Sequence, residues 1–562
     1  MWRYHRNYFQ TNVSVLEDAF GKDSYNISKI INESNRLAIM AEHKTAVNYD
    51  TGQPKRAYYL EGNSYDTGYL LGLLAEKEIS SMAVEFADKI IFDFIRNRDE
   101  TRGNIFMDIF IPLVNSLTKG MYNELPQEIR DEIRGLYDGC RKSDKNTKVT
   151  MERLIALNFD MDVLCSLVYT GAFIFKKISK VTPADFKIPL ACNGFSVFGK
   201  NALGGHYFGR DFMFPNAGVF HKTATHIIYN LRTDKGNLPF VSITAPGIAG
   251  SISAMNINGI AIGVNMSPSA NCNTRQVGMN SLLLARTGIQ KSRSAEEVVE
   301  LMENTTRGVS WNYIVADGLN DKACVVEAGA SGSSQAFTQF PPAGLKHTLP
   351  DMAFIKAHKS AEYRKGLMVR WNDYKYPEEY LAFNSGLWRN AGRLSDVRSE
   401  IYPDAFGEMG YINKIHTERN CPSMHYFAPQ REKSDNIIIA ANHYIIPEMR
   451  FYSMYPWTSM IVGNIVNDMQ WRYDELNNQI LTEIRQSGYI DFNKTKRIID
   501  FLAPYGKYPL YYSKSPKSKD GKEIQIRGCT SVFDLKRKRV ESHFGYYCDD
   551  WVSITLPNYF IN

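Results

Sequence analysis

Cys192 has the setting in which a side chain could do chemistry. It follows Ala191 in "IPLACNGFSVFGKNALGGHYFGRDFMF" (188 to 214) and opens a series of short strand-like segments; the next strand ends in Arg210 and Asp211. The thiolate of cysteine is its nucleophilic form, and a neighbouring cation favours it, a part Arg210 can play. A lone cysteine is ordinarily a small buried hydrophobe, so context must set Cys192 apart. The other cysteines (140, 165, 272, 324, 421, 529, 548) are scattered singly, without a CxxC pair or metal-ligand spacing to histidine. No zinc site, redox dithiol or disulfide framework is therefore expected. His206 and His443 lie close in sequence to the other candidates but form no recognisable constellation.

The elements that must position these residues change character along the chain. Residues 1 to about 180 read as mostly helical. In "GNSYDTGYLLGLLAEKEI", Asn63 or Ser64 serves as an N-cap with Asp66 in the first turn, and further helices are expected at 105–120, 126–142 and 150–178. After Lys187 the pattern becomes "GFSVFG", "HYFGRDFMF", "THIIYNL", "LPFVSITAP", "AGSISAMN", "GIAIGVNM", "WNYIVAD" and "KACVVEA", β-branched and aromatic runs parted by turn residues. A helical stretch interrupts them, with Ser294 and Glu297 spaced as a capping box. Strands and helices in this order predict helix layers over antiparallel sheets. Residues 343–430 lack a clean period and read as an insertion, after which "NIIIAANHYIIP" resumes strand character. The tail offers a helix near 466–486, a polar loop at 511–526 and a hairpin in "GCTSVFDLKRKRVESHFG".

Several separated stretches, taken in order, resemble the N-terminal nucleophile (Ntn) hydrolases. The likeness is to the group of acyl-coenzyme A:6-aminopenicillanic acid acyltransferase, penicillin V acylases, bile salt (choloylglycine) hydrolases and acid ceramidase. "EGNSYDTGYLLGLLAEKEI" is similar to the "GxxYxxGxxxG" pattern of acyltransferase prosegments, and "CNGFSVFG...GHYFGRDF" to the nucleophile strand and its hairpin partner. "PGIAGSISAMNINGIAIGVNMSP", "NYIVADGLNDKACVVEA" and "ANHYIIPEM" resemble later family segments. The resemblance implies an α+β fold, the four-layer αββα sandwich of Ntn hydrolases, preceded by a helical prosegment. Residues 1–191 would be that prosegment and 192–562 the catalytic domain, with the insertion at 343–430.

The resemblance implies a chemistry as well. Autocleavage between Ala191 and Cys192 through an N-to-S acyl shift would make Cys192 a new amino terminus, supplying both nucleophile and base. A free α-amine titrates near ~8, so an appreciable fraction can accept the thiol proton near neutral pH. In the family an aspartate three residues after the arginine positions this amine; here that place holds Met213, and Asp211 takes the position of the family's asparagine. Asn265 and Asn442 are implied as oxyanion donors and Arg472 as a supporting cation. No cofactor and no metal are implied.

The expected activity is cleavage of a linear amide, of the N-acyl amide or N-acyl amino acid type, through a Cys192 thioester passed to water or to an acceptor amine. Trp371, Tyr374, Tyr376, Tyr380 and Trp388 could wall an apolar acyl pocket. Two other readings stand beside this one: a non-catalytic ligand-binding protein of the same fold, and a cysteine phospholipase-like esterase. Bulk properties narrow the field further. The chain has 562 residues, 44% hydrophobic and 22% charged, a globular composition. Its net charge of +6 comes from 66 basic and 60 acidic residues without a basic stripe, so no nucleic-acid partner is expected. The apolar run 163–175 is too short to span a bilayer. The amino terminus shows no secretory leader, which predicts a cytoplasmic chain unless a leader was removed.

Overall fold

The computed structural model describes residues 16–33, 36–90, 118–159, 162, 191–214, 216–231, 236–267, 278–308, 311–329, 331, 366–374, 435–442, 444–446, 465–502, 525–547 and 549–557. Two large sheets dominate it. The first has ten strands: β1 Tyr25–Glu33, β2 Arg36–Val47, β3 Pro54–Gly62, β6 Thr225–Leu231, β7 Phe240–Thr244, β8 Ser253–Asn256, β9 Ile260–Met266, β10 Trp311–Asp317, β11 Lys322–Ala328 and β12 Leu367–Trp371, in that order. The second has six, ordered β13 (Ile437–Ala440), β4 (Ala191–Phe198), β5 (His206–Met213), β14 (Gln525–Asp534), β15 (Arg539–Tyr546) and β16 (Val552–Thr555). Neighbouring strands are antiparallel except β3 and β6, which run parallel with Ala57 opposite His226 and Gly62 opposite Leu231. The fold is thus mixed α and β, and the expected strands between 191 and 328 are present.

The expectation of a helical prosegment is corrected. Residues 25–62 form three strands that extend the first sheet, because "RLAIMAEHKTAV" and "PKRAYYLEG" bury Leu37, Ala38, Ile39, Tyr58, Tyr59 and Leu60 against the rest of the core. Asn48 holds the turn between β2 and β3: its Oδ1 accepts from the backbone N–H groups of Asp50 and Thr51, and Gly52 takes φ +65°. Within 343–430, residues 367–371 are also a strand, paired to β11; the remainder of that segment outside 366–374 lies outside the described residues. So do 163–190, most of the expected helix at 105–120, and Tyr376, Tyr380 and Trp388.

Helices cover the sheets. Helix α1 (Ser64–Leu74) starts at the predicted Asn63, whose side chain accepts from Asp66 N–H while Asp66 reaches back to the cap, a complete capping box. It packs on α2 (Gln127–Ser143). The seam explains the last two glycines of the "GxxYxxGxxxG" pattern: Gly72 meets Gly139, and a Cβ on Gly68 would lie 2.0 Å from the Glu132 carbonyl oxygen. That oxygen belongs to a helix backbone and cannot swing aside, so Gly68→Ala is expected to lower unfolding free energy by about 3 kcal/mol, the upper part of the overpacking range. A urea titration of the variant beside the wild type measures it. Helices α3 (Ser281–Lys291) and α4 (Ala295–Asn304) lie on the first sheet; α5 (Ile465–Ser487) and α6 (Phe492–Leu502) lie on the second. Among the described residues no helix is long and apolar enough to cross a membrane.

Candidate active site

Strand β4 is the middle of the site because its start faces contacts from three directions. In register, Cys192 lies opposite Phe212, which lies opposite Cys529; Gly194 lies opposite Arg210; and Asn193 lies opposite Asp211. Residues directly opposed across an antiparallel pair share a face, and successive residues alternate. Cys192 and Arg210 therefore share the face turned to the ten-stranded sheet, whereas Asn193 and Asp211 face α5 and α6. Gly263 on β9 makes the first arrangement possible: a Cβ there would come within 2.5 Å of Arg210 Cδ and Nε.

Cys192 is buried. Its backbone N–H donates to Asn442 Oδ1 at 2.7 Å, and its carbonyl accepts from Arg472 Nη1 at 2.8 Å. Arg472 also donates to Asn193 Oδ1 and, at 3.0 Å, to Asn442 Oδ1. Arg210 donates through Nη1 to the carbonyls of Asn193 and Asp211, at 2.9 and 2.5 Å. Burial is the largest influence on Arg210 and lowers its pKa; the Cys192 thiol and then Asp211 act in the opposite direction. An arginine stays charged under such shifts, so a cation stands beside the thiol.

The two asparagines behave differently. Asn442 presents its acceptor to Cys192 N–H and spends one amide N–H on the Met266 carbonyl at 2.6 Å. Asn265 donates to the Ala441 carbonyl at 3.3 Å, as does its cross-strand partner Asn312 at 3.2 Å. An amide carries two donors, so Asn265 and Asn442 each retain one beyond these bonds. Asn312 escaped the sequence reading because "WNYIVAD" gave it no context beyond that of a strand residue.

Asp211 is on the opposite side of β5 from the thiol. It sits on the same face as Met213, where the family has its aspartate, but one pair deeper, opposite Asn193 instead of Ala191. Its Oδ2 accepts from Asn193 Nδ2 at 3.0 Å, which links it to Cys192 by hydrogen bonds through Asn193 and Arg472, while Arg210 couples to both groups electrostatically. Burial pushes its carboxyl up to about 7, against the pull of Arg210, Arg472 and Asn193. A folded-state pKa above the unfolded value means the folded protein holds the extra proton between about pH 4 and 7. Stability is then expected to fall as pH rises through that window, by at most about 1.4 kcal/mol per pH unit from this group. Asp211→Asn should flatten that part of the profile, which denaturant titrations at pH 5 and 7.5 would detect.

The remaining candidates lie elsewhere. His206 hydrogen-bonds Ser196 Oγ through Nε2 at 2.8 Å and Asp321 through Nδ1 at 3.3 Å, an order reminiscent of a serine triad. Ser196 is wholly buried, as Cys192 is, and the described cavities touch neither residue, so burial does not rank the two. Trp371 packs beside the main core and Tyr374 against Met368, Tyr444 and Ile446. His443 lies outside the described residues. Among the described residues no group of three His, Cys, Asp or Glu side chains could hold a metal ion.

Cys192 thus heads a central strand with its N–H on an amide oxygen and its carbonyl on an arginine. Residues 219–348 match the model of the acyl-coenzyme A:6-aminopenicillanic acid acyl-transferase family, in agreement with the resemblance read from sequence. The matched segment holds Asn265 and Glu327; Cys192, Arg210, Asn442 and Arg472 lie outside it. An uncharacterized protein of Archaeoglobus fulgidus is 29% identical over 505 residues, 89% of this chain, and the chain spans 66% of that relative's length. Two crystal structures, a mutant and a variant of conjugated bile acid hydrolase from Clostridium perfringens, align with TM-scores of 0.32 and 0.33 at 12% and 13% identity. Each alignment covers 65% of this chain and 92% of the other, a likeness too loose to superpose one fold on the other.

Proposed function

We propose that the chain is a self-processing cysteine amidohydrolase or acyltransferase of the Ntn type, acting on a linear amide of a small molecule. The observation that carries this reading is the Cys192 N–H held by Asn442 while Arg472 holds the Cys192 carbonyl and Arg210 lies beside the thiol. The arrangement suits a residue whose backbone nitrogen is to become a reacting group. Helices over each of two sheets correspond to the αββα sandwich such an enzyme would use, with residues 1–191 as a prosegment that shares the first sheet.

In processing, Cys192 Sγ attacks the Ala191 carbonyl carbon. The C–N bond breaks, the nitrogen takes up the thiol proton, and water hydrolyses the thioester to an Ala191 carboxylate and a free Cys192 thiol. In turnover, the freed amine accepts the Cys192 thiol proton as sulfur adds to the substrate carbonyl, then passes it to the departing amine. The thioester is resolved by water or by an acceptor amine. Asn442 Oδ1 orients the amine, Arg210 lies beside the sulfur as a buried cation, and Asn265 offers its second amide N–H to the oxyanion, a donor of the kind whose removal costs about 2.7 to 4 kcal/mol. Amide substrates are favoured over esters, since the freed amine supplies the proton an amide leaving group requires.

Intact mass under denaturing conditions tests the reading. The wild type is expected to give two fragments, 1–191 and 192–562, and Cys192→Ala a single uncut chain. A wild-type chain that stays whole would sink self-processing and leave an unprocessed binding protein.

A further inference from the structure

We propose that Glu327 and Arg370 are positioning residues for Asn442: a buried ion pair on the first sheet that grips the chain on both sides of the asparagine. The inference rests on the function proposed above. The β13–β4 ladder ends at Ala440 opposite Gly194, so Asn442 lies beyond the last strand pair that could fix it. The grip replaces the ladder. Glu327 Oε1 accepts from Ile445 N–H at 2.9 Å and Oε2 from Ile446 N–H at 3.0 Å. Arg370 donates through Nε to Glu327 Oε1 at 3.4 Å and through Nη2 to the Ile439 carbonyl at 2.8 Å. Tyr444 adds a bond from its hydroxyl to the Ala328 carbonyl at 2.9 Å.

The Glu327 side chain is fully buried and that of Arg370 is 7% exposed. Two ions taken out of water are poor stabilisers unless their remaining hydrogen bonds are satisfied. Here those bonds go to residues 439, 445 and 446, which flank Asn442, so the pair fixes the loop that carries it. The bonds of both side chains go to the chain on either side of Asn442, so their influence on Cys192 runs through that loop. A shift of about 1 Å at a reacting group can cost on the order of 10²-fold in rate, and such a shift is what loosening this loop would permit.

The test compares Glu327→Gln, Arg370→Met and Arg370→Lys by intact-mass time courses of self-cleavage, with amide hydrogen exchange measured on the same changes in a Cys192→Ala background. Glu327→Gln and Arg370→Met are expected to slow cleavage by about 10- to 100-fold and, in the Cys192→Ala background, to speed exchange of the amide at position 192 and across 439–446. Arg370→Lys, which keeps the charge, should recover part of the rate. Wild-type cleavage with unchanged exchange overturns the proposal. So does faster exchange spread evenly over the molecule, which would mark a general loss of stability. If the wild type itself never cleaves, the functional reading fails, while the exchange comparison still decides whether the pair holds the loop.

Discussion

Asn442→Ala is expected to slow self-cleavage, and any amide turnover that follows it, by roughly 10²-fold. The change leaves Cys192 N–H and one Arg472 N–H without the oxygen they share, in a region where all three residues are buried. Losing a partner from a buried donor costs about 1 to 3 kcal/mol, more when one donor is charged, and each 1.36 kcal/mol in a barrier is tenfold in rate. Asn442→Asp separates the functions of the side chain, keeping the acceptors for Cys192 and Arg472 while losing the donor to Met266. Cleavage near the wild-type rate in Asp and a deep loss in Ala would assign the effect to the acceptor. Equal losses in both would place it in the bond to Met266.

The second large effect is on stability. Glu132→Ala is expected to remove about 3 to 5 kcal/mol of unfolding free energy, because it strips a buried arginine of its counter-charge. Arg286 meets Glu132 in a two-point pair, Nη1 to Oε1 at 2.8 Å and Nη2 to Oε2 at 2.5 Å, with the side chains 3% and 2% exposed. The guanidinium also donates to the Ala249 carbonyl and lies over the Tyr229 ring at 4.5 Å. Glu132→Ala with Arg286→Leu should recover much of the loss, since replacing both ions with packed apolar groups is often neutral. Guanidinium titrations of the single and double variants give the comparison.

The strands from 191 to 328 were legible because their β-branched runs end at Gly, Asn and Asp turns, and the caps of α1 and α4 because their signals are local. Strands β1 to β3 were not. Their exposed Lys and Glu residues and the helix-like "TGYLLGLLAEKEI" that follows hid a hairpin whose burial depends on a neighbour more than 160 positions away. Cys192 and Arg210 could be paired from sequence, since a hairpin brings them together. The face on which Asp211 lies required the register, in which one residue's difference exchanges helix side for sheet side. Glu327 and Arg370 meet only because β12 takes the edge of the first sheet, a pairing that the irregular composition around 367–371 did not announce.

The parallel pairing of β3 with β6 has a consequence for folding. The two strands lie in one ladder but on opposite sides of the Ala191–Cys192 bond. An uncut chain can rebuild that ladder from its own length, at a rate independent of concentration. A cut chain must find its other piece, so its recovery from denaturant should slow on dilution, as for any obligate dimer. Cutting one peptide bond would thus leave the native contacts in place and change the kinetic order in which they can be remade.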